Sequence, residues 1–200
     1  KGVKPIIGCE VYVAPRSRFD KQKGLDNNYS HLVLLCENNE GYSNLIKLVS
    51  AGFTEGFYSK PRVDRELLAK YSKGIIALSA CLAGEIPKLI LNGEYARAKE
   101  TALWYKEVFG ENNYFLEIQD HGIEEQKRVN RELLRLSEET GIPLVATNDV
   151  HYLRRNDADT QAVLMCIQTG NKIADGRPFG FETDEFYMKN EEEMRALFKD

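Results

Sequence analysis

Short apolar runs alternate with longer amphipathic stretches through most of the chain. This alternation of strand-like and helix-like periodicity is typical of α/β architectures with mainly parallel strands. The predicted strands, each bounded by Gly, Pro, Asn or Asp, cover residues 5–13, 31–36, 74–80, 114–119 and 143–149. The predicted helices cover residues 41–52, 64–71, 94–109 and 124–139. In the last helix we expect Val129, Leu133, Leu134 and Leu136 on one face.

Two of the predicted strands, GIIALSA and IPLVATND, are almost continuously apolar. We therefore expect both to be buried on two faces, as in a barrel or a doubly wound sheet. The pattern changes after residue 155, where we expect a helix carrying residues 162–167, a Gly/Pro/Asp loop over 170–180, and a last helix capped by Asn190 and Glu193. The tail 156–200 is interpreted as the end of the first domain and a connection to a following one.

Composition and charge narrow the class of protein. With 42% hydrophobic and 29% charged residues, the chain is not expected to be disordered. No apolar run approaches a membrane span and no signal peptide is evident, so we expect a cytoplasmic protein. Four cysteines without a CxxC pair favour buried free thiols. The net charge of -4 is opposite to that of a nucleic-acid clamp, so any contact with DNA should be local or lie elsewhere.

The sequence NDVHY, residues 148–152, is the strongest local candidate for chemistry. Residues two apart on a strand share a face, so Asp149 and His151 would project together where the strand ends. Strand ends are also where barrels and open α/β sheets place their active sites. The alternative is that Asp149 caps a turn and His151 is an ordinary half-buried histidine.

Three further residues have side chains that could bind a cation. Glu10 lies within the apolar run IIGCEVYV, where a carboxylate needs a partner unless the alternation turns it to solvent. His31 opens the run HLVLLC, and Cys81 follows GIIALSA at a strand end. Taken alone, His31 is more typical of a strand end and Cys81 of an inert thiol. Together with Asp149 and His151, these donors suit zinc, manganese or iron better than calcium.

Other chemistries have less support in this sequence. Phosphate-binding loops, GxSxG elbows and HExxH motifs are absent. Asp120 and His121, in EIQDHG, could line the same site, although an Asp-Gly turn explains them equally well. The aromatic residues of GFTEGFY lie near Lys60 and Arg62 and could form a nucleic-acid stacking surface, but loop packing is favoured.

Six stretches of the chain together resemble one known family. They are KPIIGCEVYV, HLVLLCENNEGYSNLIKLVS, IIALSACLAGE, YFLEIQDHG, PLVATNDVHYL and EFYMKNEEEM. The chain is similar along its whole length to the polymerase and histidinol phosphatase (PHP) domains of bacterial DNA polymerase III alpha subunits. The resemblance implies an incomplete, distorted (β/α) barrel over residues 1–155, with up to three metal ions at one end. It carries the family's metal ligands onto Glu10, His31, Cys81, Asp149 and His151, with Asp149 and His151 as the catalytic pair.

The chain differs from the family pattern at its N-terminal end. The family begins with about one more βαβ unit, which carries an HxH motif and further ligands, whereas the histidines here are His31, His121 and His151. We therefore expect a barrel without its first strands, weak binding of ions by the isolated chain and negligible activity. We also expect the strand over residues 5–13 to be an unpaired edge that self-associates or is covered by a rearranged segment.

The resemblance implies a role in DNA replication. The parent would be a DNA-directed DNA polymerase, a nucleotidyltransferase whose palm carboxylates and magnesium lie beyond Asp200. This region would be a phosphoesterase-like module with bound zinc or manganese, suited to 3'-5' exonuclease or pyrophosphatase activity. Its partners would be DNA, other replicative subunits and a separate proofreading exonuclease subunit, with no membrane. The alternatives are a non-catalytic scaffold that docks the proofreading subunit, and a free-standing PHP phosphatase.

Overall fold

The computed structural model describes residues 2–172 and 180–199 and divides into two compact units. The first comprises Lys1–Glu117 and Arg131–Val145, and the second comprises Ile118–Asn130 and Ala146–Asp200. Most of the expected loop over residues 170–180 lies outside the described residues.

A six-stranded sheet forms the framework of the first unit, with the order β3-β1-β2-β4-β5-β6. Its strands are β1 (Gly8–Val13), β2 (Ser30–Cys36), β3 (Arg62–Val63), β4 (Ile75–Leu78), β5 (Tyr114–Ile118) and β6 (Leu144–Ala146). The five predicted strands are present, each within about three residues of its expected limits. The short β3 was not predicted, since two residues are too few to display an alternating pattern.

The sheet is mostly parallel, as the sequence pattern indicated, with one reversed strand. β1 is parallel to β3, and β4 is parallel to β5. β2 is antiparallel to both of its neighbours, β1 and β4, so these two run in the same direction. The first residues of β2 therefore lie at the end of the sheet where β1 and β4 finish.

Seven α-helices accompany these strands in the described ranges. They are α1 (Asn39–Thr54), α2 (Arg65–Lys70), α3 (Glu85–Leu91), α4 (Tyr95–Phe109), α5 (Glu124–Thr140), α6 (Ala158–Thr169) and α7 (Glu191–Leu197). Asn38 caps α1 and Asp64 caps α2, each accepting a hydrogen bond from a backbone N–H in the first turn. The helix α3 was not predicted, but its Pro87 lies in the first turn, where proline is tolerated.

The core of the first unit lies between the sheet and its helices. Leu32 and Leu34 of β2 are buried, as are Leu48 of α1 and Ala98 and Ala102 of α4. Two expectations about burial were wrong. In β6 the residues are half-buried or exposed, so this strand is not covered on both faces as β4 largely is. In α5, Leu134 is 46% exposed while Leu133 is buried, because the next position on a helix turns away by about 100°.

The second unit has a small core of its own. Tyr152, Phe186 and Tyr187 are buried together, with Ile123, Ala158 and Phe181 packed against them. The helix α7 begins at the predicted capping box, in which Asn190 and Glu193 each accept a hydrogen bond from the backbone N–H of the other.

The outer edge of β1 is only partly open, so the expected unpaired edge is not continuous. β1 pairs with β2 along its whole length, and β3 covers its other side at Tyr12 and Val13. Between Gly8 and Val11, the described part of the chain places no strand against this side. Self-association through the rest of this edge, or its cover by a rearranged segment, stays a prediction.

Two further expectations concern the thiols and the membrane. All four cysteines are free; Cys166 is buried, whereas Cys9, Cys36 and Cys81 are half-buried. None of the helices in residues 2–172 and 180–199 combines the length and apolar character that crossing a membrane requires.

Candidate metal centre

Three of the five candidate ligands lie side by side at one end of the sheet. Glu10 is in the middle of β1, His31 is the second residue of β2, and Cys81 follows β4. His31 lies opposite Tyr12 in the β1–β2 ladder, one step along the face that carries Glu10. Because β2 is antiparallel to β1 and β4, His31 near the start of β2 lies close to Glu10 in the middle of β1 and to Cys81 just after β4.

The Nδ1 atom of His31 is the centre of this cluster. It lies 3.0 Å from Oε1 of Glu10 and 3.8 Å from Sγ of Cys81. One donor atom from each residue lies within 4.8 Å of the other two. The Glu10 side chain is 40% exposed and that of His31 is 23% exposed, so the cluster is open to solvent on one side.

The contacts of His31 favour its protonated form. Hydrogen bonds with Cys81 and then Glu10 raise the pKa of His31 from its ordinary 6.5 to about 9, against the opposing effect of burial. At neutral pH the ring is therefore an imidazolium, and its positive charge lies beside the carboxylate of Glu10. A bound cation would take the place of that charge.

The turn after β4 brings Cys81 to His31. The backbone N–H of His31 donates to the carbonyl of Ala83 at 3.0 Å, and the N–H of Gly84 donates to the carbonyl of Cys81 at 2.8 Å. A Cβ atom at position 84 would lie 2.1 Å from the carbonyl oxygen of Ser79, so only glycine fits there. The sequence SACLAGE thus builds a tight turn whose geometry holds the thiol beside the imidazole.

The donor set suits a borderline divalent cation. Usual zinc bond lengths and a tetrahedral angle place ligand nitrogen and oxygen about 3.4 Å apart, and nitrogen and sulfur about 3.6 Å apart. The corresponding separations here are 3.0 Å and 3.8 Å. Small side-chain movements would therefore bring carboxylate, imidazole and thiolate into the first coordination shell of one ion.

Asp149 and His151 lie in the second unit and contact each other. Oδ1 of Asp149 is 3.4 Å from Nε2 of His151. Asp149 has a positive φ of 42°, which is uncommon for a residue other than glycine. The backbone N–H of His151 donates to the carbonyl of Phe186, and its ring packs on Phe181. The D-x-H pair is thus a local unit; its convergence with the Glu10, His31 and Cys81 cluster stays a prediction.

His121 has a structural role instead of a catalytic one. Its ring is buried between hydrogen bonds to the carbonyl of Asn148 at 2.7 Å and to the side chain of Gln126 at 2.8 Å. It also stacks on Phe186, with ring centroids 4.0 Å apart. Asp120 accepts a hydrogen bond from the N–H of Gly122. These contacts agree with the Asp-Gly turn as the explanation of EIQDHG.

Arg62 is not available to nucleic acid. It is fully buried, and its guanidinium donates to the backbone carbonyls of Gly56, Asp26, Arg18 and Asp20 at 2.7–3.1 Å. Arg62 therefore fixes the loop between β1 and β2. Packing explains Arg62 but does not extend to Phe53 and Phe57 of GFTEGFY, which are 58% and 51% exposed.

Two tyrosines beside the cluster were not singled out from the sequence. Tyr12 is two residues beyond Glu10 on β1, so strand periodicity would have placed it on the same face. Tyr29 comes just before β2, and its ring is parallel to that of His31 within 3°, with centroids 6.2 Å apart. The sequence carries no comparable signal for Tyr29, because it lies at the end of a long loop.

Comparison with known proteins identifies the family. The chain is 49% identical over 199 residues to the DNA polymerase III subunit alpha of Treponema pallidum (strain Nichols), covering 99% of this chain and 17% of that protein. It is 48% identical over 198 residues to the same subunit of Thermus aquaticus, covering 98% of this chain and 16% of that one. The chain thus spans about a sixth of these relatives. The PHP domain model matches residues 1–121, more than half of the chain. The chain therefore belongs to the PHP domain family.

Proposed function

We propose that the chain is the metal-binding, phosphoesterase-like PHP domain of a DNA polymerase III alpha subunit. The observation that carries this proposal is the clustering of Glu10, His31 and Cys81 within 4.8 Å, in a chain that aligns throughout with such subunits. Carboxylate, imidazole and thiol groups from β1, β2 and the turn after β4 form a donor set that suits a borderline divalent cation.

In this proposal Glu10, through its carboxylate, His31, through Nδ1, and Cys81, through its thiolate, hold zinc or manganese. Asp149 and His151 supply the second group of ligands and the catalytic pair. A divalent ion bound by these residues would activate water and stabilise the leaving oxygen of a phosphodiester. The half-exposed position of Glu10 leaves a solvent-facing side through which a phosphate ester can approach.

The complete polypeptide would be a DNA-directed DNA polymerase. Nucleotide addition, with magnesium, belongs to residues beyond Asp200, and the PHP domain contributes 3'-5' exonuclease or pyrophosphatase activity. DNA, the other replicative subunits and a separate proofreading subunit are the partners. This assignment rests on the alignment with named polymerase subunits, which covers nearly all of this chain.

A metal titration tests the site. Zinc and manganese binding are measured by calorimetry for the chain and for Cys81→Ser and Glu10→Gln. Each substitution removes a direct ligand, so we expect the zinc affinity to fall by more than about tenfold. Cys36→Ser is the matched control, because Cys36 is also a half-buried free thiol but lies outside the cluster. Equal loss in the two cysteine variants would contradict the assignment.

The activity is tested in the full-length polypeptide. Asp149→Ala should remove metal-dependent exonuclease or phosphatase activity while polymerisation is retained, because the two reactions use separate sites. Loss of both activities in a folded variant would argue against separate sites. Metal binding with neither nuclease nor phosphatase activity in the wild type would favour the non-catalytic scaffold.

A further inference from the structure

We propose that Tyr12 and Tyr29 form a base-stacking platform beside the cluster of Glu10, His31 and Cys81, which makes this site select nucleotides over phosphate esters that lack a base. This inference rests on the proposed function, since it names the substrate class of the same site. Together these two residues are the tyrosine platform.

The tyrosine platform is continuous with the metal cluster. Tyr12 and Tyr29 have ring centroids 4.6 Å apart, and the ring of Tyr12 meets that of His31 edge-on at 5.2 Å. Tyr29 is stacked parallel to His31. The rings of both tyrosines therefore border the imidazole that carries one of the candidate donor atoms.

Both tyrosines sit on rigid supports and retain contact with solvent. Tyr12 pairs with His31 on one side and with Arg62 of β3 on the other. The carbonyl of Tyr29 accepts a hydrogen bond from Nζ of Lys88 at 2.6 Å, which ties the loop end to α3. Each tyrosine is only half-buried, so part of its surface remains available to a ligand. A platform held in place in advance costs little ordering entropy when a base docks.

Positive charge lies next to the tyrosine platform. The exposed Lys60 has its Nζ 5.6 Å from the ring centroid of Tyr12, within the range of a cation–π contact. An aromatic surface, an ammonium group and a set of metal ligands thus occur at one end of the sheet. A nucleotide combines the matching features, because its base stacks on aromatic faces and its phosphate binds cations. A small sugar phosphate has the phosphate but no base to stack on the tyrosines.

The experiment compares two ligands by calorimetry with this chain. Thymidine 5'-monophosphate carries a base, and 2-deoxyribose 5-phosphate has the same sugar and phosphate without one. Stacking on one aromatic ring strengthens binding by about tenfold or more, so the wild-type chain should prefer thymidine 5'-monophosphate by about that factor. Tyr12→Leu and Tyr29→Leu should each lower this preference toward one, while the affinity for 2-deoxyribose 5-phosphate stays unchanged.

Three controls separate stacking from folding. Tyr12→Phe and Tyr29→Phe keep the rings and should keep the preference. Tyr42→Leu removes a tyrosine that is 49% exposed on α1 and should also leave the preference intact. If circular dichroism shows that Tyr12→Leu unfolds, Tyr29→Leu, at the end of a loop, carries the test.

The outcomes distinguish this inference from the proposed function. A wild-type chain without preference for the base, or a preference unchanged in both leucine variants, would overturn the tyrosine platform. Zinc titration of the same samples reports on the metal site independently. Absence of zinc binding together with a tyrosine-dependent preference for the base would overturn the metal assignment and leave the platform supported.

Discussion

Substitution of Arg62 tests how the loop between β1 and β2 is held in place beside the candidate metal centre. The loop from Ala14 to Tyr29 separates β1 from β2 and delivers Tyr29 and His31 to the candidate site. The guanidinium of Arg62 donates to carbonyls of Arg18, Asp20 and Asp26 in this loop, and to that of Gly56. Arg62→Met keeps an unbranched apolar side chain of similar length but removes every one of these donors.

The expected cost follows from the number and burial of the carbonyls. Arg18, Asp26 and Gly56 are buried, whereas Asp20 is half-exposed and its carbonyl can turn to water. A buried acceptor left unsatisfied costs about 1–3 kcal/mol, so three of them amount to about 3–9 kcal/mol. Because the loop can loosen and admit water, we expect the lower part of this range, about 3–5 kcal/mol.

The assay is urea unfolding followed by the fluorescence of Trp104, the only tryptophan of the chain. Trp104 lies in α4 of the first unit, so its signal reports on the unit that contains Arg62. Arg62→Lys should recover little of the loss, because an ammonium group cannot reproduce the planar fork of the guanidinium. Arg97→Met is the matched control: its ion pair with Glu94 is exposed, and such pairs contribute below about 1 kcal/mol.

A loss below about 1 kcal/mol in Arg62→Met would refute this reasoning, since it would mean that the loop carbonyls find equally good partners in water. A loss of about 3 kcal/mol or more in Arg97→Met would show that the assay responds to any arginine, and would also count against it.

Three further predictions concern the turn after β4, the second unit and metal binding. Gly84→Ala should lower both stability and zinc affinity, because its Cβ would lie 2.1 Å from the carbonyl of Ser79; Gly52→Ala, with 3.6 Å to the nearest atom, should change zinc affinity little in the same titration. His121→Leu should destabilise the second unit by about 1–3 kcal/mol in thermal unfolding, because the buried side chain of Gln126 loses its partner and the part-buried hydrogen bond to the carbonyl of Asn148 is removed; an effect below about 0.5 kcal/mol would contradict this. Zinc affinity should rise from pH 6 to pH 8 with release of protons, since imidazole and thiol bind metal only when deprotonated; pH-independent binding in calorimetry would exclude them as ligands.

The sequence determined the class of fold and the positions of most elements. Alternating and continuous apolar runs located five strands, because their side chains must lie against a core whatever the topology. The same reasoning located the capping box at Asn190. It failed for β3, which is only two residues long, and for α3, and it placed Leu134 on the wrong face of α5. In these cases the local sequence pattern is too short to identify the element, or too coarse to assign a residue to the buried or the exposed face.

The chemistry was only partly visible in the sequence. A carboxylate in an apolar strand marked Glu10, and Cys81 was found at a strand end, but each had a structural alternative of equal or greater weight. His31 begins its strand, so periodicity alone argued against it, and its selection came from the family resemblance. The pair Asp149 and His151 was visible because the two residues are close in the chain itself, although both lie beyond the end of β6 and Asp149 has a positive φ of 42°.

Tertiary structure decided which of these residues meet. The reversed direction of β2 puts His31 at the end of the sheet where β1 and β4 finish, and the turn closed by Gly84 holds Cys81 3.8 Å from its ring. Burial of Arg62 against four carbonyls, and exposure of part of Tyr12 and Tyr29, are likewise outcomes of packing. Strand direction and loop closure depend on contacts between residues 50 or more positions apart, such as His31 and Cys81, and such contacts produce no periodic pattern in the sequence.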